Sequence, residues 1–324
     1  MSQALVCGSL DAQQSLESTY RISGEGVTSA FEEQREVIQK SSAVIYNGRE
    51  EIAYGVVVSP DGYILTKASE VQEINDLDAR VDREYFKSVK LVMVDPRWDV
   101  ALLKVDGKGL VPVEYASTGE IPQGTWVVVN GATSRTKRRV LAGIISARPR
   151  EILPEGGAVL GVQLEEEGEE VEVKEVTEGS GAEDAGVKAG DVVLAVGGIP
   201  VMEVEDLTAA LEDKKAGEKI KVALKRGEET LELSVRLAAR GELFAEVTRN
   251  DQMSGDYSKR RSGFPRIIQH DILANSHTMG GPVIDLDGRM VGMNIARANR
   301  AETFAIPVEE VRKLAKGMIA QAAE

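Results

Sequence analysis

Cysteine and histidine are scarce in this sequence: the 324 residues include 1 Cys and 2 His. A single cysteine excludes an intrachain disulfide framework and a thiolate zinc cage. Two histidines leave little room for an imidazole metal site, so neither a metal nor a cofactor is expected. Any Ser–His or Cys–His catalyst has to use His270 or His277. No stretch approaches the ~20 apolar residues of a membrane span, so no membrane insertion is expected. Cations are short as well, with Lys+Arg 39 against Asp+Glu 53 and a net charge of −14. Nucleic-acid binding runs on clustered Lys and Arg, so this balance argues against DNA and RNA.

What is present is the composition of an ordinary globular protein, 42% hydrophobic and 28% charged, which argues against wholesale disorder. At about 150 residues per domain, the length suggests two domains. The chain starts Met1-Ser-Gln-Ala-Leu-Val-Cys7, without a basic n-region or a full h-region. Residues 1–27 read as a polar, flexible segment; the other reading is the tail of a signal sequence containing Cys7. A helix is expected near Thr28, capped by Ser29 with Glu32 as its capping-box partner.

From Ser42 the pattern becomes β. Apolar runs at 43–46, 53–58, 63–66, 89–94, 100–105, 126–131 and 141–147 are separated by turn signals such as Asn47-Gly48 and Ser59-Pro60-Asp61-Gly62. Short strands at this spacing, with no helices between them, point to a barrel or sandwich. The texture changes at Pro149. The acidic run at 165–170 reads as a solvated surface loop. Residues 153–240 read as strands plus two short helices, one starting near Ala182 and one over 204–214. A polar stretch with the basic patch Lys259, Arg260 and Arg261 follows, then strands at 266–269, 282–286 and 290–296. An amphipathic helix over 308–323 ends the chain, with Val311, Leu314, Ala315 and Met318 on one face.

Four segments, from Gly55 to Thr66, Asp95 to Asp99, Ile268 to Asn294 and Phe304 to Pro307, together resemble the HtrA (DegP) family of trypsin-like serine proteases with PDZ domains. Gly55-Val-Val-Val-Ser-Pro-Asp-Gly-Tyr-Ile-Leu-Thr66 is similar to the strand pair before that family's catalytic His. Asp95-Pro-Arg-Trp-Asp99 is similar to the segment holding its Asp. Ile268-Gln-His-Asp271, Gly280-Gly-Pro-Val-Ile-Asp-Leu-Asp-Gly288 and Val291-Gly-Met-Asn294 are similar to its nucleophile region, and Phe304-Ala-Ile-Pro307 to the strand end after it. Residues 153–240 resemble a bacterial PDZ domain. Val159-Leu-Gly-Val162 carries the carboxylate-loop pattern, and 179–201 carries the central signature.

The resemblance implies a mainly β fold, a trypsin-like double β-barrel with the PDZ domain inserted in the second barrel. The expected divisions are 1–27, 28–152 (first barrel and start of the second), 153–240 (PDZ) and 241–324 (rest of the second barrel and the helix). The ends of an inserted domain should lie close together.

The chemistry departs from the family. Where the family has Thr-Asn-Ala-His, this chain has Thr66-Lys67-Ala68-Ser69; where it has Gly-Asn-Ser-Gly-Gly-Pro, this chain has His277-Thr278-Met279-Gly280-Gly281-Pro282. The resemblance thus puts Ser69 at the base position, Met279 at the nucleophile position and His277 at the oxyanion glycine, and leaves only Asp99 of the triad. A serine hydroxyl is a poor proton acceptor at neutral pH, and a thioether has no acidic proton. No catalytic residue is expected. The expected function is non-catalytic binding of peptide or protein C-termini through the PDZ groove. The alternative is a residual or atypical serine hydrolase built from His277, Asp99 and Ser69. Lys67 reads as a solvated lysine, since strand alternation does not bring it to the Ser69 hydroxyl. His270 reads as a structural hydrogen bonder.

The carboxylate loop Val159, Leu160, Gly161 and Val162, with Val204 and Thr208 on the following helix, is the expected peptide-binding site. Leu207 and Leu211 are expected to face the core. The resemblance also implies an extracytoplasmic setting, periplasmic or secreted, and leaves a homo-oligomer open.

Overall fold

The computed structural model describes residues 17, 19, 24–117, 120–131, 139–153, 156–167, 170–243, 253 and 255–322. The segment 1–27, expected to be flexible, lies mostly outside them.

Strands β1 (Ser42–Asn47), β2 (Glu50–Val57), β3 (Tyr63–Lys67), β4 (Leu77–Val81), β5 (Glu84–Asp95) and β6 (Val100–Lys104) close into a barrel in the order β1-β2-β3-β6-β5-β4. The Asn47-Gly48 signal makes the β1–β2 hairpin, with Asn47 opposite Glu50. The chain then starts a second barrel with β7 (Trp126–Asn130) and β8 (Val140–Ile152).

Before finishing that barrel it builds a separate sheet. Strands β9 (Ala158–Val159), β10 (Val162–Glu167), β11 (Glu170–Val176), β12 (Val192–Val196), β13 (Ile199–Pro200), β14 (Lys219–Arg226), β15 (Glu229–Arg236) and β16 (Ala238–Ala239) follow in turn. Their main sheet runs β10-β11-β12-β14-β15, and β9 pairs with β16. The helices Gly181–Asp184 and Val204–Leu211 lie in this stretch. Its own apolar core includes Val171, Val173, Val193, Val222, Leu224 and Val235.

The second barrel then resumes with β17 (Phe264–His270), β18 (Pro282–Ile284), β19 (Met290–Asn299) and β20 (Glu302–Pro307), closing as β17-β20-β19-β18-β7-β8. Phe264 of β17 stands opposite Ile152 of β8, so the excursion leaves and rejoins the barrel at adjacent positions.

Several barrel strands are apolar at nearly every position because they separate two cores. On β3, Ile64 points into the first barrel and Leu65 into the space between the barrels. On β6, Ala101 and Leu103 point inward, while Val100 and Leu102 join that same shared core. The interior of the second barrel is filled by Val127, Val129, Ile268, Val283 and Val291. The helix Val308–Ala322 closes the shared core with Val308, Val311, Ala315 and Met318. Burying side chains such as Val311 and Met318 contributes roughly 1.5–3 kcal/mol each.

Three local expectations differ from the structure. Ser29 does not cap a helix: a turn of helix spans Glu25–Thr28, a 3-10 turn spans Ser29–Phe31, and the longer helix starts only at Glu32, with no side-chain cap. Glu32 pairs instead with Arg35 at 2.6 Å. The acidic run is not a loop, because Glu165, Glu166 and Glu167 end β10 and Glu170 opens β11; residues 168 and 169 lie outside the described residues. The helix expected over 204–214 stops at Leu211. A capping box between Glu203 and Asp206 starts it, a signal readable in the sequence.

Candidate functional site

Asp99 ends a tight turn set by Asp95, whose Oδ1 accepts from the N–H groups of Arg97 at 2.9 Å and Trp98 at 3.1 Å. The turn holds Asp99 at φ 57, and its carbonyl accepts from Ala68 N–H at 2.8 Å. Ser69 sits in a short 3-10 turn, Ala68–Glu70, directly after β3. Its N–H donates to Asp99 Oδ1 at 2.8 Å and its hydroxyl donates to Oδ2 at 2.9 Å. The structure thus brings Ser69 and Asp99 together, with the hydroxyl as donor. A triad imidazole also donates to its aspartate but keeps a basic second nitrogen, whereas the oxygen of a serine hydroxyl is a very weak proton acceptor.

Lys67 corrects the solvated-lysine expectation. Its side chain is 0% exposed, 3.3 Å from Glu70 Oε1 and 4.0 Å from Asp99 Oδ2. The missed signal was the absent histidine itself: a buried Asp99 needs a cation nearby, and Lys67 is the basic residue in that short segment.

The segment 276–282 forms the facing wall. Ser276–Thr278 is a 3-10 turn whose first hydroxyl bonds to Asp256. Met279 is fully buried, its carbonyl accepting from Tyr54 N–H at 2.8 Å. Its own N–H donates to Ser276 O at 3.0 Å, inside the turn. An amide used in this way is not aimed at a developing oxyanion. Gly280 follows at φ +89, where a Cβ would run into the Tyr54 carbonyl oxygen and crowd Thr66 Oγ1 at 2.8 Å. The loop is thereby locked against β2 and β3.

The two histidines part company. His270 is fully buried: Nε2 donates to Asn294 Oδ1 at 2.8 Å and Nδ1 accepts from Ile272 N–H at 3.3 Å. Burial pushes its pKa down to about 4, so the ring is neutral. His277 is exposed, and among the described residues no hydrogen bond joins it to Ser69 or Asp99.

A cavity of about 610 Å³ opens beside Ser69, between the first barrel and the inserted sheet. Ser69 and Glu73 of the first barrel, Asp184 and Arg236 of the inserted domain, and Tyr257 and Lys259 line it. Burial, followed by the negative charge of Glu73, raises the pKa of Asp184. Arg260 ties this region to the first barrel by donating to the carbonyls of Pro96 and, at 3.0 Å, Arg97. No cluster of three or more metal-ligating side chains occurs among the described residues. No helix among them is long and apolar enough to cross a membrane.

In the inserted sheet, the loop 159–162 leads into β10, which is an edge strand. Leu160 is buried, and Val162, Leu164, Val204 and Leu207 are half-buried against that domain's core. Thr208 is exposed and Leu211 buried. Gly161 has φ +85 and lies so close to Ser180 that a Cβ would overlap that residue's Cβ. Among the described residues, no backbone hydrogen bond outside the strand ladders is donated by the N–H of Leu160 or Gly161.

Comparison with known proteins agrees with both halves. Residues 53–182 match the trypsin-like peptidase domain family, and residues 158–237 match the PDZ domain family. The two matches overlap at 158–182, a stretch that strand pairing assigns to the inserted sheet. The chain is similar to proteins named "Probable periplasmic serine endoprotease DegP-like". The one from Ectopseudomonas mendocina is 37% identical over 103 residues, 32% of this chain and 22% of that protein. The one from Pseudomonas fulva is 34% identical over 134 residues, 40% and 28% of the two chains. The one from Marinomonas sp. is 34% identical over 106 residues, 32% and 22%. The chain thus matches only about a quarter of these relatives' length. It carries a trypsin-like fold and a PDZ domain.

Proposed function

We propose that this chain is an HtrA-like protein whose protease fold serves binding rather than hydrolysis, and that it captures peptide C-termini through its PDZ groove. The observation that carries the reading is the state of the nucleophile position: Met279 is buried and its N–H is spent inside the 276–278 turn. Ser69 at the base position supports it, because the hydroxyl bonded to Asp99 is a far weaker proton acceptor than an imidazole nitrogen. Base and nucleophile acting as a unit are both replaced, and removal of either alone abolishes most of such catalysis.

The groove keeps what binding needs. A PDZ peptide adds to a sheet edge and anchors its carboxylate on backbone N–H groups. Here β10 offers the edge, Gly161 in its left-handed conformation shapes the loop, and Val204 and Thr208 stand on the helix across from it. Val159, Leu160, Gly161 and Val162 would hold the chain end. We place the domain divisions at 152/153 and 240/241, and the protein outside the cytoplasm, as the names of its relatives suggest.

The test is fluorescence anisotropy of the whole chain with apolar-ended peptides in free-acid and amidated forms. Binding of the acid alone supports the groove; equal affinity for both overturns it. Incubation with unfolded casein and a fluorophosphonate probe tests the loss of hydrolysis. One observation favours the second reading, an atypical hydrolase using His277, Asp99 and Ser69: Ser69 lines the cavity and its hydroxyl is bonded to Asp99. Cleavage that disappears in Ser69→Ala or His277→Ala would establish it.

A further inference from the structure

The PDZ match, residues 158–237, holds 20 Asp and Glu against 9 Lys and Arg, a net −11 out of the chain's −14. The acidity is concentrated in one module, and within it part of the charge lies along the open edge. Resting on the groove reading above, we propose that this groove selects chain ends with an apolar last residue and Lys or Arg three to five residues upstream.

The register argues for it. An extended peptide added antiparallel to β10, with its carboxylate at the 159–162 loop, places its last residue beside Val162. Each residue further upstream then lies one position further along β10. The third, fourth and fifth residues upstream stand opposite Glu165, Glu166 and Glu167, which end the strand. Directly opposed residues of an antiparallel pair bring their Cβ atoms to about 5 Å, where opposite charges attract and like charges repel.

Glu165 is paired with Lys174 at 2.8 Å, but both side chains are 59% exposed, and such a pair contributes little and exchanges readily. Lys225 on β14 is already engaged by Glu170 at 3.1 Å. Across the groove, the helix Val204–Leu211 carries Glu205 in its first turn beside the capping pair Glu203 and Asp206, and is followed by Glu212 and Asp213. Screening over about 8 Å at physiological salt confines the effect to peptide residues lying on this surface. The apolar end follows from the loop side, where Val162, Leu164 and Val204 are only half-buried against the domain's core. Loop and edge therefore read different parts of one ligand: an apolar terminus near Val162 and a cationic stretch near Glu165.

The experiment uses the full chain and three labelled peptides with the same apolar free-acid terminus, carrying Lys, Ala or Glu at the third and fifth positions upstream. An amidated Lys peptide is the fourth arm. The Lys peptide is expected to bind about tenfold tighter than the Glu peptide at low salt. That advantage should vanish at about 0.5 M salt. It should reverse in a Glu165→Lys, Glu167→Lys double variant whose circular dichroism matches the parent. Equal affinity for the Lys, Ala and Glu acids, with the amide weaker, overturns the basic selection and leaves the groove standing. An amidated Lys peptide binding as well as its acid overturns the groove and this inference together, as does failure of every acid peptide to bind.

Discussion

Lys67 Nζ stands 4.0 Å from Asp99 Oδ2, with the lysine side chain 0% and the aspartate side chain 2% exposed. A buried carboxylate needs a compensating cation or full hydrogen bonding. In the HtrA pattern an imidazole faces this aspartate. Here Ser69 contributes two hydrogen bonds and no charge, and the cation comes from two residues upstream. Lys67→Met is expected to destabilise the fold by about 3 kcal/mol, since removing one partner strands a buried charge. The double variant Lys67→Met, Asp99→Asn should be more stable than the two single effects added together. Urea denaturation of all four proteins tests this; strict additivity would mean that the two groups do not interact.

The buried His270 makes stability depend on pH. Its folded pKa is about 4, below the ordinary value of 6.5. The unfolded chain therefore binds the extra proton first as pH falls. The contribution is fully present above about pH 6.5 and is lost progressively as pH falls through about 4, at up to ~1.4 kcal/mol per pH unit. His270→Gln keeps a group able to bond Asn294 and removes the titration. Its urea midpoint should change less between pH 6.5 and 4 than that of the parent, and parallel curves would place the acid sensitivity elsewhere.

Gly280→Ala meets two obstacles at once, the φ of +89 and the Tyr54 carbonyl oxygen. A loss of about 3 kcal/mol or more is expected, with the 276–282 loop displaced from β2. Thermal unfolding measures it, and an unchanged midpoint would show that the loop is far softer than its hydrogen bonds imply.

On the binding reading proposed above, installing HtrA-type side chains should not install protease chemistry. In Ser69→His with Met279→Ser, base and nucleophile types return. The N–H of residue 279 remains bonded to Ser276 O at 3.0 Å, and His277 still occupies the glycine position. Each missing oxyanion donor costs about 10²–10³ in rate. The double variant is expected to react with a fluorophosphonate probe no faster than the parent. Rapid labelling would show that the turn opens freely.

Much of the architecture was legible along the chain because it rests on local signals. Strand runs, the Asn47-Gly48 hairpin and the stripe Val311, Ala315, Met318 are periodicities that the structure repeats. The 77–81 strand is missing from the expected runs although Leu77-Asp78-Ala79-Arg80-Val81 alternates apolar and charged residues, because the segment is short and has no continuous apolar run. The acidic run misled because charge was read as a loop signal, whereas an edge-strand hairpin tolerates it.

The residue types behind the proposed loss of chemistry, Ser69 where the HtrA pattern has its base and Met279 where it has its nucleophile, are written in the sequence and needed no coordinates. The burial of Lys67, the donation of the Ser69 hydroxyl to Asp99 and the closure of the 276–278 turn on its own amides were not so written. Each depends on groups that only barrel closure brings together. Asp99 reaches Ser69 across 30 positions of chain, and Met279 meets Tyr54 from the other barrel. Burial and hydrogen-bond direction are set by those distant neighbours, so they belong to the folded chain and not to any local pattern within it.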